Sequence, residues 1–260
     1  MKKISLKKWI DYLYSRVDID VYVYGGNGEC IVTLFPKLTS MEKTLCDVNR
    51  VLTLLNKRLM TKVTDIFLIR GEDCSGLAIK FLTDEKIVEH DMTANCLWEY
   101  IVGTKKTKAH GKKVALTDVM AGDYLFQGTD SKKHHVGYAV SENYAIESKN
   151  HDEGVVLTKI SERNWGYCAR PDWYEDEPIE KPVLSRELYL TDPLIKGTDV
   201  KNCQLLLIGK GYNPGKVDGV YGKNTEIAVK NFQTDAKLDI NRLGTVGKKT
   251  AEALGFKWEG

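Results

Sequence analysis

The apolar positions of this chain change their period along its length. Ile4, Leu6, Trp9, Ile10, Leu13 and Tyr14 alternate with charged residues at roughly helical spacing, which predicts an amphipathic opening helix. Over 40–61, Leu45, Val48, Val51, Leu52, Leu55 and Leu59 recur by threes and fours and predict another. Leu77, Ala78, Phe81 and Leu82 mark a helix over 74–82, and 91–102 reads as a further one. From about residue 122 the period shifts toward two, and GDYLFQ, HHVGYAV, NYAIES and GVVLTKI read as strands. Helices first and strands second is an α+β pattern.

The pattern breaks at EDEPIEKP (175–182), which is acidic, carries two prolines and has little to bury. We expect a first domain over 1–177, a linker over 178–187 and a second domain over 188–260. The second has its own texture. Val200, Cys203, Gln204, Leu206 and Leu207 form a helical stripe, and Ile227, Ala228, Val229 and Phe232 form another. A short third helix follows Thr250. Between the first two, Gly219 and Gly222 permit a tight turn and Thr225 suits a helix cap. The expectation is a small all-α domain of three helices.

Composition removes several functions. With 260 residues and a formal net charge of +2, nothing calls for a nucleic-acid partner. Lys105, Lys106, Lys108, Lys112 and Lys113 read as a solvated loop. The opening MKKISLKKWIDYLYSR lacks the apolar core and cleavage site of a signal peptide. No stretch approaches the roughly 20 apolar residues of a membrane span. The expectation is cytoplasmic synthesis without membrane insertion. The six cysteines form no CxxC pair, so neither a zinc site nor a disulfide framework is expected, and most read as small buried hydrophobes. No cofactor is implied.

Cys74 is the exception. In RGEDCSGLAIKF it stands where a loop becomes a helix, between an acid and a small polar pair. A helix's positive end favours a thiolate, and Asp73 or Ser75 suits the cap. A nucleophilic thiol needs a base. Of the five histidines, His90 and His110 sit in polar surroundings, His151 reads as a turn residue and His134 as exposed or packed. His135 shares a strand face with the small residues Gly137 and Ala139, an open surface that a helix end or substrate can approach. If the following loop has three residues, Gly137 stands opposite Glu147, and Glu147 lies one diagonal step from His135. A two-residue loop reverses the face. On the first alternative Glu147 can orient the imidazole.

Cys74, His135 and Glu147, in that order with helix before sheet, resemble the NlpC/P60 family of papain-like cell-wall peptidases. The motifs are DCSGLAIKF (73–81), GDYLF (122–126), HVGYAV (135–140) and AIES (145–148), with YVYGGNGE (22–29) similar to the family's aromatic-Gly-Gly segment. The third position is often histidine in the family and is Glu147 here. DVKNCQLLL, GYNPGKVDGVYGKNTEIAVKNFQ and VGKKTAEALG are similar to the peptidoglycan-binding type 1 domain, although DINRLGTVG departs from its second Asp-Gly turn.

The resemblance implies a papain-like α+β core, with catalytic Cys74, His135 and Glu147, and Tyr22, Asp73 and Ser75 at the substrate. It implies a monomeric peptidoglycan hydrolase of endolysin or autolysin type without a metal, released through a holin-type pore where it is a phage lysin. The bond it implies is the amide between D-glutamate and the third stem residue. An N-acetylmuramoyl-L-alanine amidase would use the same triad. A thiol-dependent transferase and a non-catalytic wall-binding protein are the rivals. The insertion over 30–72 is expected to shape the substrate groove.

Overall fold

The structure, a computed structural model, describes residues 2–175 and 181–260. The chain divides into two compact units, Met1–Glu177 and Pro178–Gly260.

In the first unit, helix α1 (Leu6–Arg16) starts at Ser5, whose hydroxyl accepts the Lys8 N–H, and buries Trp9, Leu13 and Tyr14. Strands β1 (Val21–Tyr22) and β2 (Asn27–Cys30) follow. The insertion then folds into short helices α2 (Ile31–Leu34) and α3 (Leu38–Met41) and the long α4 (Leu45–Thr61), capped by Thr44. It has its own core, where Ile31, Leu34, Val48, Val51, Leu54 and Leu55 meet Val21 and Val23. Strand β3 (Arg70–Glu72) lies between β1 and β2, so residues about fifty positions apart build one three-stranded sheet immediately before Cys74.

Helices α5 (Gly76–Asp84) and α6 (Ala94–Val102) precede β4 (Gly111–Val114), β5 (Tyr124–Gly128), β6 (Lys133–Ala139), β7 (Tyr144–Ser148), β8 (Val155–Lys159) and β9 (Tyr167–Pro171). These six strands make one sheet in the order β4-β9-β5-β6-β7-β8. The alternating runs predicted as strands are its centre and one edge. The lysine-rich segment is not wholly loop: Lys112 and Lys113 lie in β4, the other edge strand, where charged side chains face solvent. Trp9, Tyr124, Tyr138 and Trp173 are buried in a ring-on-ring cluster against the sheet.

In the second unit, β10 (Val183–Leu184) falls within the stretch expected as linker, of which 178–180 lie outside the described residues. Leu184 is buried in this unit's core, so the fold begins before residue 188. After α7 (Thr198–Gly209), α8 (Lys223–Asp235) and α9 (Lys248–Leu254), strand β11 (Lys257–Trp258) pairs with β10 in parallel. The three expected helices thus carry a short strand pair.

Two buried glutamines repeat one device. Gln204 accepts the Gly219 N–H at 2.9 Å and donates to Thr225 Oγ1, and Gln233 accepts the Gly244 N–H at 2.8 Å and donates to Thr250 Oγ1. The second turn is held like the first, although Leu243 stands where Asp218 stands in the first.

Candidate active site

The Asp73–Ser75 loop is tied down before α5 begins. Asp73 Oδ1 accepts the N–H of Ser75 at 2.9 Å and of Gly76 at 2.8 Å, and the Ser75 hydroxyl at 3.0 Å. Its Oδ2 accepts the Gly25 N–H at 3.2 Å. Asp73 is therefore the capping side chain. Ser75 is buried, and the polar groups of both residues are spent on the loop. Burial raises the Asp73 carboxyl, against the Gly76 and Ser75 hydrogen bonds.

The loop fits where the sheet opens. The connection 141–143 has three residues: Val140 N–H bonds Tyr144 O at 2.9 Å. The β6–β7 pairing runs through Ala139↔Ala145 and Tyr138↔Ile146. Beyond it the cysteine loop enters. Ser148 Oγ donates to Glu72 O at 2.7 Å and Tyr138 OH donates to Cys74 O at 2.7 Å. The Val136 N–H lies against the Cys74 thiol, so the thiol stands beside the strand residue that follows His135.

The expected positive-end effect is outweighed. Burial and the neighbouring Asp73 charge push the Cys74 thiol up to about 12, despite the N–H groups of Val136, Ser75 and Cys74. Cys74 is 8 % exposed, and desolvation outweighs three weak donors.

His135 Nε2 meets Glu147 Oε2 at 2.6 Å. Burial raises the Glu147 carboxyl, but hydrogen bonds from His135, Arg163 and Thr158 overcome this and bring it to about 2. Two of these partners were not picked out from the sequence. Arg163 donates from Nε to Oε1 and from Nη2 to Oε2, each at 2.7 Å, and Thr158 donates to Oε1 at 2.8 Å. Trp165 stacks on His135 with centroids 5.8 Å apart and planes at 10°. The open surface expected beside His135 is therefore covered. A Cβ on Gly137 would lie 2.6 Å from Trp165 Cη2, so glycine is required by that close approach.

Tyr22 is half-buried on β1, within electrostatic reach of Cys74 and Asp73. Its hydroxyl is raised by burial and by those charges. Its ring meets His151 edge-on at 4.8 Å, and His151 Nε2 contacts Glu42 Oε2 at 2.8 Å. Glu42 also accepts the Tyr24 N–H at 3.0 Å, so the insertion is fastened to the segment bearing Tyr22. His134 is exposed.

Cys74, Cys168 and Cys203 are buried, Cys30 is intermediate, and Cys46 and Cys96 are exposed, so burial is not the general cysteine role expected. Among the described residues there is no cluster of three metal-ligating side chains, and no helix is long and apolar enough to cross a membrane.

The NlpC/P60 family model matches residues 61–170, and a peptidoglycan binding domain model matches 196–254. The chain thus carries an NlpC/P60 domain in its first unit and a peptidoglycan binding domain in its second. It is 34% identical over 93 residues to the carboxy-terminal processing protease CtpB of Bacillus subtilis, covering 35% of this chain and 17% of that one. It is 46% identical over 59 residues to the spore cortex-lytic enzyme of Bacillus subtilis, covering 22% of this chain and 19% of that one. The chain therefore spans less than a fifth of either curated relative.

Among solved structures, it aligns with the NlpC/p60 domain of peptidoglycan hydrolase SagA at 21% identity and a TM-score of 0.28, covering 46% of this chain and 95% of that one. It aligns with NlpC2 from Trichomonas vaginalis at 19% identity and a TM-score of 0.31, covering 50% and 47%.

Proposed function

We propose that this protein is a peptidoglycan hydrolase that cuts an amide bond of the wall's stem peptide through a thioester on Cys74. One observation carries the reading: the thiol lies against the Val136 N–H, beside His135, whose Nε2 is held by buried Glu147. With the thiol at about 12, the proton leaves as sulfur attacks. Glu147 occupies Nε2, which leaves Nδ1 to receive the Cys74 proton. Sγ bonds to the carbonyl carbon, and the backbone N–H of Cys74 supports the oxyanion. The C–N bond breaks as His135 protonates the leaving amine. Water, giving its proton to His135, cleaves the thioester and the thiol is restored.

The D-glutamyl to third-residue bond is the assignment that accords with the family resemblance, with Tyr22 along the substrate and Asp73 and Ser75 holding the nucleophile loop. The second unit keeps the enzyme on its polymer and raises local substrate concentration. The 46% identity over 59 residues to a spore cortex-lytic enzyme supports a wall substrate.

The test is mass spectrometry of purified walls digested with wild type, Cys74→Ala and His135→Ala. The expected product is a new amine on the third stem residue, reduced at least about a thousandfold in both variants. Intact stem peptides freed from muramic acid would assign an amidase to the same triad. Full lytic activity in Cys74→Ala would overturn the mechanism, and no Cys74-dependent product would favour a wall-binding protein.

A further inference from the structure

Arg163 follows β8, outside every motif that marks the candidate triad. We propose that Arg163 is a positioning residue that neutralises Glu147, so that His135 is oriented by a carboxylate whose charge is already met. This rests on the Cys74–His135–Glu147 reading above.

The carboxylate of Glu147 is 0 % exposed, so its partners come from protein. Oε1 takes Thr158 and Arg163 Nε, and Oε2 takes His135 and Arg163 Nη2. The two-pronged guanidinium contact is the strong geometry for such a pair. An uncompensated buried carboxylate beside an imidazole favours the imidazolium. An imidazolium cannot receive the proton of a thiol, and burial pushes the Cys74 thiol up. Arg163 brings the carboxylate's net charge to zero while leaving Oε2 directed at His135 Nε2. An acidic residue thereby orients the imidazole with its own charge already met.

The same short segment supplies the cover, because Trp165 stacks on His135 and Arg163 Cζ lies 5.6 Å from the Trp165 ring. Glu153, itself paired with Lys149, is within electrostatic reach of Glu147. Arg163 is the cationic side chain in direct contact with Glu147.

The test is the pH dependence of two rates, wall-peptide release and alkylation of Cys74 by iodoacetamide. Both are followed in wild type, Arg163→Gln, Arg163→Lys, Glu147→Gln and the Glu147→Gln/Arg163→Gln double variant. Arg163→Gln should move the acid limb upward by about one pH unit, a roughly tenfold loss below it. Glu147→Gln leaves an uncompensated guanidinium and should move the limb down. The double variant should return toward the wild-type position, which steric damage alone does not produce. Arg163→Lys keeps the charge but not the fork, so the limb should stay while the plateau falls several-fold.

An unmoved acid limb in folded Arg163→Gln, or a double variant no closer to wild type than Glu147→Gln, overturns the proposal. If Arg163→Gln fails to fold, Arg163→Lys and the double variant decide it. If wild type releases no wall product, the hydrolase reading fails, and the alkylation profiles still decide whether Arg163 neutralises Glu147.

Discussion

Two glutamates flank Cys74, and both are fully buried: Glu147 on β7 and Glu72 at the end of β3. They are nearly neighbours, since Ser148 Oγ donates to the Glu72 carbonyl. Glu147 is surrounded by His135, Thr158 and Arg163 and sits at about 2. Neither carboxyl oxygen of Glu72 has a hydrogen-bond partner of ordinary geometry among the described residues. Burial, and then the Asp20 charge beside it, push Glu72 well above the usual carboxylate range, against Arg16 and Arg70. Equal burial therefore goes with opposite shifts. Partners, not depth, decide whether a buried acid can bear charge where chemistry needs it.

The largest break in this contrast is Glu147→Ala. It removes the orienter of His135 and leaves Arg163, 23 % exposed, without its counter-charge. Hydrolysis should fall on the order of 10³–10⁴-fold. Stability should fall by about 3 kcal/mol, because one partner of a buried pair is lost. Steady-state rates and urea unfolding check both, and a variant within a few-fold of wild type would remove Glu147 from the mechanism.

A smaller effect comes from Gly137→Ala, which keeps every partner of Glu147 but pushes a methyl into Trp165. The expected cost is about 1–3 kcal/mol in stability. A roughly tenfold loss of kcat should accompany it as the His135 ring loses its stacking surface. Unchanged kcat in that variant would make Trp165 a packing residue only.

These partners were unevenly legible in the sequence. The central strands were visible because their apolar residues alternate, and the face of Glu147 followed once the loop had three residues. Alternation could not choose that loop length, which is fixed by the Val140 N–H to Tyr144 O bond. Strand β4 was hidden because Lys112 and Lys113 look like solvated residues wherever they stand. Strands β1 to β3 have two to four residues and pair across the insertion, so local pattern carries little of them.

Arg163 gave no signal, since an arginine after a strand has no period and its role comes from a carboxylate sixteen residues away. Glu72 read as one more acid in RGEDCSG. Its neighbours Tyr12 and Arg16 on α1, and Asp20, arrive from far earlier in the chain. A helix cap was legible at 73–75, but which side chain caps it was decided by Asp73 accepting both Ser75 and Gly76.

The last expected effect sharpens the contrast through pH. Glu72 is raised above its ordinary value of 4.5, so between that value and its folded one the native state holds a proton that the unfolded state has released. Stability must then fall as pH rises through that window, by at most about 1.4 kcal/mol per pH unit for one proton. Glu147 has the opposite sign: lowered to about 2, it stabilises above 4.5 and loses that contribution as pH falls toward 2. Glu72→Gln removes the first slope and leaves the second. The variant should gain on wild type as pH rises above 4.5, while the acid sides of the two curves stay parallel. Urea unfolding across that range measures the difference. Parallel curves on the alkaline side would mean that Glu72 is ionised in the native protein, and that Arg16 and Arg70 hold it much as Arg163 holds Glu147.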